Sequence, residues 1–141
     1  MSALKTLPQD GVKTIFTAHS LPVQSLRVDD YVEKINASIE AVVKGLTLDW
    51  TLAYQSRGGG AVEWLGPSAE DAIKIAKDKG HKAVCIVPIG FCSDHVETLY
   101  DIDILFKDIA EGSGLAFARA ASLNTNRKFI AMLADVVEQN I

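Results

Sequence analysis

The sequence predicts an α/β fold: a four-stranded parallel sheet flanked by helices on both faces, a three-layer sandwich. Short apolar runs alternate with longer segments whose apolar residues recur at spacings of three and four. The run Ala83–Val87 is apolar almost without a break, the pattern of a strand covered on both faces in the middle of a parallel sheet. Two of the apolar runs stop at polar residues, His19 after the first and Asp94, His95 and Glu97 after the third. That is the end of the strand at which α/β folds bind ligands.

Each element has its own justification. Residues 1–12 read as a short polar lead, and 13–18 as the first strand, with Ile15 and Phe16 at its centre. His19, Ser20 and Leu21 follow, and Pro22 stops the element. Asp29 or Asp30 is placed to cap the next helix. There Tyr31, Ile35, Ile39 and Val42 make an amphipathic stripe, and Gly45 closes it. Residues 48–54 form the second strand, rich in Leu, Thr and aromatics. Gly58, Gly59 and Gly60 make a loop without the spacing of a phosphate-binding or dinucleotide-binding motif. Trp64, Leu65, Gly66 and Pro67 make a second tight feature. Ser68 with Asp71 reads as a capping box opening a helix that buries Ala69, Ala72, Ile73 and Ala76 and ends at Gly80. After the third strand, a helix over 93–109 carries Leu99, Ile102, Phe106 and Ile109 on one side. A short strand is expected over 115–119. Thr125 or Asn126 then opens a last helix with Phe129, Met132, Leu133, Val136 and Val137 on one face. No repeat or linker divides residues 1–141, so a single domain is expected.

Composition narrows the function classes. The formal net charge is −4 and the basic residues are scattered without a run of three, which argues against nucleic acid as a partner. No run of eighteen apolar residues exists, so no transmembrane segment is expected. The first residues lack the apolar core of a signal peptide, which points to the cytoplasm. Cys85 and Cys92 match neither a zinc framework nor a disulfide scaffold, and Cys85 reads as a small buried hydrophobe.

The chemistry concentrates after strand three. On a helix, Asp94, Glu97, Asp101 and Asp108 fall on one side, opposite Leu99, Ile102 and Phe106. An arbitrary amphipathic helix would show such acids as a solvated face. Here the first of them occupy the first turns, where a helix favours negative charge, and they follow a strand end. A line of carboxylates in a cleft raises proton affinity or attracts a cation. If the first and third strands are neighbours, His19 comes near His95 or Glu97. A histidine with a carboxylate can hold a divalent metal or pass a proton. Tyr54, Trp64, Phe91 and Tyr100 can line a flat apolar ligand or pack the domain's own core. Arg57 can meet an acidic substituent or stand free in its loop.

The segments Thr17 to Pro22 (TAHSLP), Tyr54 to Ser56 (YQS), Trp64 to Ser68 (WLGPS) and Pro88 to Asp103 (PIGFCSDHVETLYDID) together resemble the ferrochelatase family. Members insert ferrous iron into a porphyrin. The resemblance implies a Rossmann-like half-domain, one of the two such halves of a chelatase, and it covers only the C-terminal half of a typical member. It implies that His19 handles a pyrrole proton, the metal, or both, and that Glu97 is the facing catalytic glutamate. Asp94, His95 and Asp101 correspond to the acidic path and its hydrogen bonds, which makes His19, Glu97, Asp94 and Asp101 the candidate metal ligands. Tyr54, Arg57, Trp64, Phe91 and His95 are the candidate porphyrin contacts. The implied substrates are Fe²⁺ and protoporphyrin IX or coproporphyrin III, with no tightly bound cofactor. The cysteines of iron–sulfur-bearing members are missing, so no such cluster is expected. Because the second wall of the cleft belongs to the other half in this family, a homodimer or the missing N-terminal half is expected as partner. The alternative is a non-catalytic half-domain that binds porphyrin, haem or metal. A hydrolytic or general metal-binding α/β domain is a third reading.

Overall fold

The structure is a computed structural model that describes residues 7, 8 and 10–141, so most of the polar lead expected over 1–12 lies outside the described residues. Four strands make one parallel sheet: β1 (Val12–His19), β2 (Trp50–Gln55), β3 (Ala83–Val87) and β4 (Ala116–Arg119), in the order β2-β1-β3-β4. The helices are α1 (Val28–Val43), α2 (Ala69–Asp78), α3 (Val96–Tyr100), α4 (Lys107–Gly112) and α5 (Arg127–Glu138). A π-helical segment, Asp101–Phe106, joins α3 to α4 in one continuous rod. The three-layer parallel architecture is the one the sequence predicts, and β1 and β3 are indeed neighbours, with Thr14 opposite Cys85 and Phe16 opposite Val87.

The period of two in the strands sorts their side chains to two cores. On one face Ile15, Ala53, Val84 and Ile86 pack beneath Ala72, Ile73 and Ala76 of α2 and Ile102, Phe106 and Ala110 of the rod. On the other, Phe16, Ala18 and Tyr54 pack beneath Ile35 and Ile39 of α1. Fully buried isoleucines such as Ile39, Ile73 and Ile102 each contribute about 2 kcal/mol of apolar transfer. Helix α2 is capped by Ser68, whose Oγ accepts from the Asp71 N–H at 3.1 Å, but the return half of the expected capping box is replaced by a bond from Ser68 Oγ to the Asp71 carboxylate at 2.8 Å. At the opposite end of the sheet Asp49 accepts from Lys13 and from His81 Nε2 (2.8 Å for the latter), and these bonds hold its carboxyl below the usual range.

Several local expectations shift. Helix α1 begins at Val28 after Arg27 in the left-handed region, so Asp29 and Asp30 occupy its first turn and neither caps it. Val42 is half exposed and Val43 packs in its place. The helix expected from 93 begins at Val96, and Leu99 points outward while Thr98 is fully buried. The reason lies in the spacing: Thr98, Ile102, Phe106 and Ala110 are four apart throughout. In an α-helix each step of four overshoots a turn by about 40°, so this stripe would drift off the sheet within two steps. The wider π turn absorbs the excess and keeps the stripe facing inward.

Candidate functional site

The C-terminal ends of β1, β2 and β3 converge on one rim of the sheet. His19 ends β1 and lies opposite Gln55, the last residue of β2. Its carbonyl accepts a hydrogen bond from the Tyr31 hydroxyl of α1 at 2.8 Å, which anchors the strand end from behind. Beyond it the chain is tied down at once: Ser20 N donates to Gln55 O at 2.8 Å, and Ser20 Oγ donates to Leu65 O at 2.9 Å. Leu65 N in turn donates to Leu21 O at 2.9 Å. The SLP and WLG stretches are thus stitched together as two facing loops, with Pro22 and Trp64 bridged antiparallel.

The loop after β3 runs directly over the end of β1. Gly90 N donates to Thr17 O at 3.1 Å, and a Cβ on Gly90 would lie 2.8 Å from Ala18 Cα. Only a residue without a side chain lets the loop pass so close. Past it, Phe91 and His95 pack ring to ring with centroids 5.6 Å apart. His95 caps α3, its N–H donating to Thr98 Oγ1 at 3.1 Å, and leaves its ring exposed. Glu97 is exposed in the first turn of α3.

The acids do not form one free line. Asp94 precedes the helix and its carboxylate is fully engaged. It accepts from Arg119 Nη1 at 2.7 Å, Ser122 Oγ at 2.8 Å and Asn124 Nδ2 at 2.9 Å. Those donors, Asn124 and Arg119 foremost, hold its carboxyl down to about 2. Asp101 accepts from Ser56 Oγ at 2.8 Å and Gln55 Nε2 at 3.2 Å, binding the π segment to the end of β2. Among the described residues, no three His, Cys, Asp or Glu side chains gather closely enough to hold a metal ion. The set His19, Glu97, Asp94 and Asp101 therefore does not stand as a ready-made cage, and Asp94 in particular has its lone pairs committed to three donors.

The aromatic candidates divide. Tyr54 is 5% exposed and belongs to the core beneath α1, where burial pushes its hydroxyl pKa up. Trp64 is half-buried and lies so close to Gly58 that a Cβ there would meet Trp64 Cζ2 at 2.6 Å. That contact gives Gly58, the first glycine of the run, a packing role, while Gly59 and Gly60 face open space. Trp64 Nε1 is buried with no hydrogen-bond partner among the described residues. Tyr100 is exposed. Two open pockets of about 390 and 350 Å³ flank the rim, and Tyr54, Arg57, Ser68 and Asp71 border both. Asp101, Gln55 and Ser56 line the larger and Trp64 and Ser20 the smaller. Gln55 is 2% exposed, with Oε1 unpartnered among the described residues, beside His19 in the register. Arg119, Ser122 and Asn124 escaped the sequence reading, because nothing local marks a partner 25 to 30 residues away from Asp94.

Comparison with known proteins follows the same outline. The family model described as ferrochelatase matches residues 1–141. The ferrochelatase of Synechococcus elongatus is 42% identical over 139 residues, covering 95% of this chain and 35% of the relative. That of Deinococcus radiodurans is 39% identical over 135 residues, covering 93% of this chain and 43% of the relative. The chain thus spans about a third to two-fifths of the length of these curated relatives. A crystal structure described as a cobalamin (vitamin B12) biosynthesis CbiX protein, from Marinobacter aquaeolei VT8, superposes with a TM-score of 0.64. At 18% identity, over 92% of this chain and 96% of that one, it shares the fold. The chain belongs to the ferrochelatase family.

Proposed function

We propose that this chain supplies one wall and the reactive side chains of a ferrochelatase-type site that inserts Fe²⁺ into a porphyrin, the other wall coming from a second copy or a further domain. The observation that carries the reading is the meeting of the β1 end, with His19, and the Gly90 loop that delivers His95 and Glu97, in a chain the family matches throughout. Insertion exchanges two pyrrole N–H protons for the metal, so it needs a base at the macrocycle and a route for the released charge. His19 is the base, because an imidazole gains and loses a proton near neutrality. Glu97, in the first turn of α3, is the carboxylate that favours the departing protons or the arriving cation, with Asp101 continuing the path. Trp64 and Phe91 offer flat apolar surfaces to the ring, while Tyr54 belongs to the core beneath α1. Arg57, which borders both pockets, is the candidate partner of a propionate. Iron enters and leaves as substrate and product; protoporphyrin IX and coproporphyrin III are the candidate acceptors. The setting is the cytoplasm, and among the described residues no helix is long and apolar enough to cross a membrane.

A second reading, a porphyrin- or metal-binding half-domain without insertion, draws on the absence of a three-ligand cluster among the described residues. Anaerobic insertion of Fe²⁺ or Zn²⁺ into each porphyrin, followed by absorbance, separates the two. Turnover by the purified chain that disappears in His19→Ala and Glu97→Gln supports the first. No turnover at any protein concentration, with the circular dichroism of a folded chain, overturns it for the chain acting with a second copy of itself. Quenching of porphyrin fluorescence on titration then reports the second.

A further inference from the structure

Gln55 closes β2 and is buried, yet only one half of its amide is used among the described residues. Its Nε2 donates to Asp101 Oδ2 at 3.2 Å. That bond decides which way the amide is turned, because only its NH₂ side can meet a carboxylate. Oε1 is therefore held on the side away from Asp101, buried and without a donor among the described residues. A buried acceptor in that condition is costly and rare, and it marks a place where a donor belongs.

The sheet sets two donors on the same face. His19 lies opposite Gln55 in the parallel register, and residues so paired rise from one face of the sheet about 5 Å apart. Counting back by two, Thr17 and Ile15 share that face, and Ile15 belongs to the core beneath α2 and the rod that carries Asp101. Thr17 is fully buried and its hydroxyl also lacks a partner among the described residues. Its own opposite number is Ala53, however, so Gln55 stands diagonally from it, roughly 7 Å away along the sheet, beyond the reach of so short a side chain. The imidazole directly opposite is long enough, and its terminal torsion is broad, so the ring can turn an N–H toward Oε1. We propose that Gln55 is a positioning residue: its Oε1 accepts the N–H of the His19 ring while its Nε2 holds Asp101. A neutral imidazole has one N–H and one lone pair. Spending the N–H on Gln55 fixes the tautomer and leaves the other ring nitrogen bare, which is what a base at the macrocycle requires. That use rests on the proposed function; the tautomer does not, and it is read without iron or porphyrin.

Long-range ¹H–¹⁵N correlation spectra of the labelled full chain test it, recorded about two pH units above the ordinary imidazole value so that rings are neutral. The His19 signals are those missing from His19→Gln. The wild-type ring is expected as a single tautomer, its two nitrogen shifts far apart. Gln55→Met, close in size and without a polar end, should draw the two shifts together as the tautomers exchange. Gln55→Asn, too short to serve both partners, should do the same. Gln55→Glu keeps an oxygen opposite the ring and should keep the single tautomer. Ser56→Ala, which removes the other donor to Asp101, and Thr17→Val should leave the His19 pattern as it is. A wild-type ring that already exchanges between tautomers overturns the proposal. So does an unchanged pattern in Gln55→Met or Gln55→Asn with the circular dichroism of a folded chain, or a Thr17→Val chain that loses the single tautomer. In the insertion assay Gln55→Met should lower kcat about tenfold to a hundredfold without a matching rise in KM, as loss of a group that orients a reactive histidine does. A chain whose His19 tautomer follows Gln55 but which never inserts metal would sink the proposed function and leave the contact standing; turnover indifferent to Gln55 would do the reverse.

Discussion

Arg119 spans two carboxylates: its Nη1 lies 2.7 Å from Asp94 and its Nε 2.9 Å from Asp103. One side chain at the end of β4 thus fixes both the loop ahead of α3 and the π segment behind it. The planar fork of a guanidinium can serve two acceptors at once; an ammonium cannot hold that geometry. Arg119→Met should cost about 2 kcal/mol in urea unfolding, most of it from the Asp94 arm, since Asp103 is well exposed. Arg119→Lys should recover about half. Equal stability of all three chains would show that the contact holds nothing.

Asp94 makes the same cluster sensitive to acid. Its carboxyl titrates near 2 in the folded chain against an ordinary 3.8, through its bonds to Asn124, Arg119 and Ser122. A depressed folded value stabilises the protein above the unfolded value and loses that contribution as pH falls through the folded one. The part due to Asp94 is roughly 2 kcal/mol, complete above about pH 5 and lost between about pH 4 and 2. Asp94→Asn should be less stable at neutral pH and show a shallower decline over that window. Parallel stability curves for the two chains would contradict it.

The alternation of strands and helices was legible because burial on a sheet imposes periods of two and of three to four on the residues themselves. Ile35 and Ile39, Ala72 and Ile73, and the unbroken Ala83–Val87 all lie where their spacing put them. Leu99 did not, because a helix reading assumes one period, and the constant spacing of four from Thr98 to Ala110 belongs to a rod containing a wider turn. The site was legible in its segments and not in its bonds. That Asp94 serves Arg119, and Asp101 serves Ser56 and Gln55, depends on which strands adjoin, and a pattern within a single segment carries no record of that. Tyr54 was ambiguous for a related reason: the residue before a strand end can face the rim or the core, and here the core beneath α1 takes it.

Gly90 predicts its own test. A methyl group there would meet Ala18 Cα at 2.8 Å and Cβ at 2.9 Å, and part of that obstacle is backbone, which cannot rotate away. Gly90→Ala should therefore push the loop off β1, at a cost of about 1 to 3 kcal/mol. The same displacement moves Phe91 and His95 relative to the end of β1, so under the proposed function insertion should fall further than stability alone explains when assayed where the variant remains folded. A variant as stable and as active as the parent would mean that the loop's closeness to β1 has no consequence.

The π segment offers the sharpest test of why the rod has its shape. Deleting Ile104, which is 51% exposed, changes the inward spacings from four, four, four to four, three, four. That is the stripe of an ordinary α-helix, so the wider turn loses its reason to form. The shortened chain should keep its fold, with an unfolding free energy within about 1 kcal/mol of the parent once the exposed Asp103 contact is discounted. Its rod should be α-helical throughout, seen as an added i to i+4 bond pattern in amide hydrogen exchange. What it should lose is registration: the turn that lays Asp101 over Ser56 and Gln55 while keeping Asp103 on Arg119 exists only with the extra residue in place. Under the proposed function, porphyrin metallation should then drop although stability does not. If stability collapsed instead, the wide turn would be a requirement of packing, and its service to the acids on its outer side incidental.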